Sequence, residues 1–141
     1  MTADPNCIFC RIVAGEIPCF KLHEDAHTLA FMDINPANDG HALIVPKVHT
    51  RDLYSISAQS IAAVAVTARR VARAVDLTVK PEGLNLVQCN GEAAGQSVFH
   101  FHLHVLPRTL NDDLHMNWGL MPGDMEAIGG LAERIRANMD A

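Results

Sequence analysis

The chain has 141 residues, 49% of them hydrophobic and 19% charged, which gives enough apolar surface for the core of one domain spanning 1–141. No apolar run is long enough to cross a bilayer, so no membrane role is expected. The net charge of −5 sets the whole-molecule field against polyanions, and nucleic acid is not an expected partner. The first residues carry neither the basic segment nor the apolar core of a secretion signal, so a cytoplasmic location is expected. In that reducing compartment the four cysteines are thiols or metal ligands rather than disulfides.

Residues 6–14 predict a short helix capped by Asn6 and stopped by Gly15. Phe20–His23 and Thr28–Met32 read as strands, and Asp33-Ile34-Asn35-Pro36 as the turn after them. His41–Pro46 reads as a third strand with His41, Leu43 and Val45 on one face. Residues 57–78 predict the strongest helix: Ser57 caps it, and Ile61, Val64, Ala68, Val71 and Val75 form its apolar stripe. Leu84–Cys89 and Gln96–Leu106 are expected to pair as strands around the loop 90–95, with Pro107 ending the second. Asp124 opens a last helix with Ile128, Leu131, Ile135 and Met139 on one stripe. This order predicts an α+β fold, an antiparallel sheet covered by the long helix on one side.

The chemistry concentrates in Gln96–Leu106. His100, His102 and His104 alternate with Phe101, Leu103 and Val105, so an extended strand would put three imidazoles on one face. An imidazole with a pKa of about 6.5 is a neutral nucleophile near pH 7, and neighbouring rings disfavour one another's charged forms. The central ring, His102, is the natural nucleophile, with neighbours that fix its tautomer or handle protons. Gly95 allows a ligand to approach the backbone, and Gln96 and Ser97 offer donors for phosphate oxygens.

The run Gly95-Gln96-Ser97-Val98-Phe99-His100-Phe101-His102-Leu103-His104-Val105-Leu106-Pro107-Arg108 resembles the signature of the histidine triad (HIT) superfamily. Phe31–Pro36 and Gly40–His49 resemble that family's nucleotide-pocket segments, and Cys7–Ile12 its N-terminal entry. The likeness spans 6–108 and is greatest to the purine-nucleoside-phosphoramidase (Hint) branch and its bacterial hydrolase relatives. It leaves 109–141 as a C-terminal loop and helix. The resemblance implies a HIT-like fold with about five antiparallel strands, one long helix, and short N-terminal and C-terminal helices. It also implies a symmetric homodimer.

For function, the resemblance implies hydrolysis of a nucleoside phosphoramidate or related purine-nucleotide conjugate to the monophosphate. His102 would form a nucleotidyl-histidine intermediate. His104 would contact phosphate and assist the leaving group, and His100 and His41 would support the nucleophile. Asn90, Gln96 and Ser97 match phosphate or leaving-group contacts, and Asp33 matches the acceptor for ribose hydroxyls. Ile8, Phe9, Ile12, Phe31 and Ile34 match the slot for the base. Such assignments suit the ligand, since a flat base needs apolar walls, ribose an acceptor and phosphate donors. The chemistry itself needs no cofactor.

Cys7-x-x-Cys10 has the spacing of half a tetrahedral zinc site. Bacterial HIT proteins and galactose-1-phosphate uridylyltransferases suggest His49 and His100 as the other two ligands. Zinc there would be structural and would orient His100 beside the nucleophile. Alternatives remain open at this level: two packed thiols in place of zinc, and a dinucleoside polyphosphate hydrolase, a nucleotidyltransferase or a nucleotide-binding interaction module in place of the phosphoramidase. The segment Asn111–Trp118 departs from the best-known phosphoramidases. Trp118 in it is read as packing or as closing a pocket.

Overall fold

A computed structural model describes residues 3–115 and 118–140; Met116 and Asn117 of the divergent C-terminal segment lie outside the described residues. Three helices, α1 (Ile8–Val13), α2 (Ala58–Val79) and α3 (Met125–Ala137), accompany five strands. The strands are β1 (Lys21–Glu24), β2 (Thr28–Met32), β3 (Ala42–Pro46), β4 (Gly83–Val87) and β5 (Leu103–Arg108). They form one sheet in the order β1-β2-β3-β5-β4, and every pairing is antiparallel.

Period-two alternation divides the central strands between two cores. Ala30, Ala42, Ile44 and Val105 face α2, where they meet Val64, Ala68, Val71 and Val75 of the predicted stripe. Leu29, Phe31, Leu43 and Val45 face the other way and meet Cys7, Phe9 and Cys10. The long helix thus covers one side of the sheet as expected, and α1 covers part of the other. The short α1 packs on the second face, and its spacing of Phe9 and Cys10 supplies the buried side. Ser57 caps α2 as predicted, its side chain accepting the Ser60 N–H. Inside the α2 interface, Thr28 and Thr67 satisfy each other through a buried hydroxyl pair at 2.8 Å. Asp124 caps α3 as predicted, yet Ile128, Leu131 and Ile135 of the α3 stripe are each about half exposed.

The N-cap of α1 is Cys7, not Asn6: its sulfur accepts the Cys10 N–H at 3.4 Å. The larger correction is at β5. The expected strand Gln96–Leu106 is paired in the sheet only from Leu103, and residues 96–102 are irregular with a bend at 98–100. Two neighbours are missing there: β4 pairs no further than Val87 with His104, and β3 no further than Ile44 with Leu103. Phe101 N–H instead donates to Thr50 O at 2.7 Å. Phe99 is 41% exposed, whereas His100, Phe101 and His102 are all buried. Pro107 does not end the strand, because it pairs with Leu84. Strand β3 stops opposite Val105, so that side of Pro107 has no ladder requiring an N–H.

One glycine decides how the β2–β3 connection enters the sheet. Gly40 has φ +90°, and a Cβ there would stand 2.9 Å from Val79 Cγ2 and 3.1 Å from Pro107 Cγ. Backbone conformation and close packing both exclude a side chain. No helix among the described residues is long and apolar enough to span a membrane.

Candidate active site and metal centre

Leaving the strand geometry separates the three histidines. His100 is fully buried, and its Nε2–H donates to Pro46 O at 2.8 Å. That bond turns Nδ1 toward Cys7 Sγ at 3.5 Å, Cys10 Sγ at 3.5 Å and His49 Nδ1 at 3.2 Å. Cys10 Sγ is also 3.2 Å from His49 Nδ1. The four ligand atoms lie within 4.8 Å of one another. A tetrahedral zinc with ordinary Zn–S and Zn–N bonds sets ligand–ligand edges of about 3.3–3.8 Å, so the spacing fits the ion. Burial pushes the Cys10 thiol up, and a cation among the sulfurs reverses that penalty. The Pro46 carbonyl supplies the outer hydrogen bond that usually orients a ligating imidazole.

His102 is held differently. Its Nδ1–H donates to the carbonyl of His100 at 2.7 Å, which leaves the Nε2 lone pair free. The edge-to-face ring of Phe9, 5.1 Å away between centroids, props it in place. Burial lowers the His102 pKa from its ordinary value, so the ring is neutral near pH 7.

His104 lies in β5 opposite Leu43 and Val87. Its Nδ1 is 2.8 Å from His41 Nε2, which is also 3.5 Å from Asp33 Oδ2. Burial, then the neighbouring His102 and His41 rings, push His104 down to about 4. His41 is lowered by its own burial, against the pull of Asp33.

A cleft of about 420 Å³ opens beside these rings. Of the residues expected around a nucleotide, Ile8, Phe9, Ile12, Phe31, Asp33, Ile34 and Ser97 all line it, together with His102 and His104. Ile17, Pro18, Cys19, Met32, Asn35, Leu43 and Val98 also line it and were missed. Leu43 carried a signal on the predicted face of His41, and Met32, Asn35 and Val98 lie within the segments that resemble the family. Ile17, Pro18 and Cys19 are ordinary apolar or turn residues whose place depends on α1 folding back across β2. Asp33 has two roles, since its Oδ1 also caps the turn by accepting the Asn35 N–H at 2.8 Å.

Two expected phosphate contacts lie outside this lining. Gln96 is buried with both ends of its amide engaged: Oε1 accepts Gly91 N–H, and Nε2 donates to Arg51 O and Val98 O. It holds the 91–98 loop closed. Asn90 Oδ1 accepts the Leu53 N–H at 2.7 Å, and its Nδ2 donates to Gln88 Oε1. Trp118 is 82% exposed and lines no part of the cleft.

The family model described as HIT domain matches residues 14–111, most of the chain and all of the sheet, and begins just after α1. The chain belongs to the HIT domain family. Among HIT relatives, adenosine 5'-monophosphoramidase hnt1 of Schizosaccharomyces pombe is 39% identical over 135 residues, covering 95% of this chain and 98% of its own. The crystal structure of SMU.412c from Streptococcus mutans superposes with a TM-score of 0.94 at 37% identity, over 99% of this chain and 88% of that one. A Zn-bound histidine triad family protein from Mycobacterium smegmatis superposes with a TM-score of 0.74 at 38% identity, over 96% of each chain. A HIT fold thus carries both the apolar cleft and the Cys/His cluster, joined through His100.

Proposed function

We propose that this HIT protein hydrolyses a nucleoside phosphoramidate or a related purine-nucleotide conjugate to the nucleoside monophosphate. The observation that carries the reading is His102: its Nδ1–H is tied to the His100 carbonyl, so its Nε2 lone pair is the free end of a buried, neutral ring lining the cleft. The base occupies the slot of Ile8, Phe9, Ile12, Phe31 and Ile34, and the Asp33 carboxylate accepts from the ribose. His102 Nε2 forms a bond to phosphorus as the phosphorus–nitrogen bond breaks. The leaving nitrogen takes a proton from solvent and departs as the amine. Water then forms the new P–O bond, the N–P bond breaks, one proton returns to solvent, and His102 is neutral again. His104 and Ser97 hold the phosphoryl group and the leaving atom through these steps, since phosphoryl transfer depends on positioning and charge stabilisation.

Zinc is proposed as the occupant of Cys7, Cys10, His49 and His100. Its closed ligand set makes it structural, a clip between α1 and the segment before β5, and the chain's own side chains carry the chemistry. A reducing compartment, the cytoplasm, is proposed with it, Cys7 and Cys10 serving the metal and Cys19 and Cys89 staying thiols.

The cleft also supports a choice of substrate. None of its lining residues is Lys or Arg, Asp33 is a carboxylate, and the histidines are held toward neutrality. One phosphate with an uncharged leaving group fits such a wall better than a polyphosphate chain. Incubation with adenosine 5'-phosphoramidate, a fluorogenic tryptamine phosphoramidate and diadenosine polyphosphates tests this. The phosphoramidates are expected to turn over at least about 100-fold faster in kcat/KM. Preferential cleavage of the polyphosphates would reject the reading.

A homodimer is the proposed assembly. Strand β4 is a sheet edge, and exposed Leu86 on it lines one groove with exposed Leu77 of α2, a surface suited to pairing with a second copy. Sedimentation at micromolar concentration is expected to give twice the 15.3 kDa chain mass, and a monomer would refute the dimer.

A further inference from the structure

The loop between β2 and β3 sets the chemistry of His41, and a polar node on β5 holds that loop. Ala37 N–H donates to His41 Nδ1 at 3.0 Å. A nitrogen that accepts carries no proton, so the His41 proton is on Nε2, the atom 2.8 Å from His104 Nδ1. His104 Nδ1 then accepts in turn, and the neutral His104 ring carries its proton on Nε2. One backbone N–H therefore decides the tautomer of two rings, the second of which lines the cleft.

Residues 34–39 are exposed except Asn38, which is half-buried. Its Nδ2 donates to Pro107 O at 2.9 Å and to Asp112 Oδ2 at 3.0 Å. Its carbonyl accepts the His41 N–H at 3.1 Å. The anchor itself is firmly built. The Asp112 carboxylate, 6% exposed, accepts from Arg108 Nε and Nη2 as well as from the backbone N–H groups of Thr109 and Leu114. Arg108 is fixed in turn by Asn85 Oδ1 and Leu114 O. None of these residues lines the cleft.

We propose that Asn38 and Asp112 are positioning residues for the reaction: they pin the β2–β3 loop so that Ala37 N–H stays on His41, which holds His104 as an Nε2–H donor. The consequence for catalysis rests on the proposed role of His104 beside phosphate. If the loop withdraws, His41 is free to take its proton on Nδ1. His104 then shifts its own proton to Nδ1, and its Nε2 lone pair would face the anionic phosphoryl group. The arrangement also links the divergent C-terminal segment, which begins at this node, to the reacting rings.

The test uses the full-length, metal-loaded protein labelled with 15N-histidine, comparing wild type with Asn38→Ala and Asp112→Asn. Ring 15N–1H correlations are expected to show single Nε2–H tautomers for His41 and His104 in wild type and mixed tautomers at His104 in both variants. On adenosine 5'-phosphoramidate, kcat is expected to fall about 10- to 100-fold with KM changed less than about threefold. Thermal melts identify any variant that fails to fold, and the other variant then decides. Unchanged tautomers in a folded variant overturn the proposal, including where kcat falls. An inactive wild type with the expected tautomer change would reject the proposed reaction and leave the positioning intact.

Discussion

Replacing His102 with Ala is expected to lower phosphoramidate turnover by on the order of 10⁴-fold or more, because it removes the atom that forms the covalent bond. Nucleotide affinity is expected to stay within about threefold of wild type, since the slot and the ribose acceptor belong to α1, β2 and the turn after it. The substitution leaves a space against Phe9 and removes the bond to the His100 carbonyl, so a melt must accompany the kinetics. Single-turnover assays and nucleoside monophosphate titration give the two readouts. Near-normal turnover by His102→Ala would end the covalent mechanism. Rapid quench of the wild type with a radiolabelled nucleotide adds a direct check, since label should remain on the protein and be absent from the variant.

The second large effect concerns the metal centre. Purified protein is expected to contain one zinc per chain, and both a strong chelator and Cys10→Ser are expected to release it. The loss acts on two places at once. Cys7 and Cys10 begin α1, which carries three walls of the base slot, and His100 offers the carbonyl that orients His102. Structural zinc in small peptides contributes on the order of 10 kcal/mol, but here the core between α2 and the sheet contains none of the four ligands. A loss of several kcal/mol is therefore expected, and at about 2–4 °C per kcal/mol for a domain of this size the Tm should fall by roughly 10 °C. Nucleotide binding should weaken with it. Metal analysis and melts with and without chelator measure this. A metal-free protein whose Tm ignores chelator would remove zinc from the account.

The two effects meet at His100, and its place shows where reading the sequence reaches its limit. Alternation in the run His100–Leu106 marked the reactive segment and its central ring, but it placed all three rings on one flat face of a strand. Residues 96–102 leave the sheet because neither neighbouring strand reaches them, and one ring goes to the cysteines, one to the cleft and one to His41. Strand pairing is non-local, so no local pattern reveals where a ladder runs out. Gln96 shows the same limit from another side. Its residue type suited a phosphate donor, yet the loop closing around it takes both of its amide donors. The Asn38–Asp112 contact, 74 residues apart in the chain, left no trace in spacing or periodicity.

What the sequence determined by itself follows from local rules. Periods of 3.6 and 2 gave α2, β2 and β3 nearly to the residue, Ser57 and Asp124 gave the helix starts, and Cys7-x-x-Cys10 gave half of the Cys/His cluster. These depend on backbone geometry within a few residues. Only the tertiary structure decided that α1 closes the sheet's second face, that the His49 and His100 rings suggested by the family resemblance lie beside Cys7 and Cys10, and that Ala37 N–H meets His41 Nδ1 while His41 Nε2 meets His104. Each of those depends on distances between segments far apart in the chain, which are set when the sheet assembles and its two cores are buried.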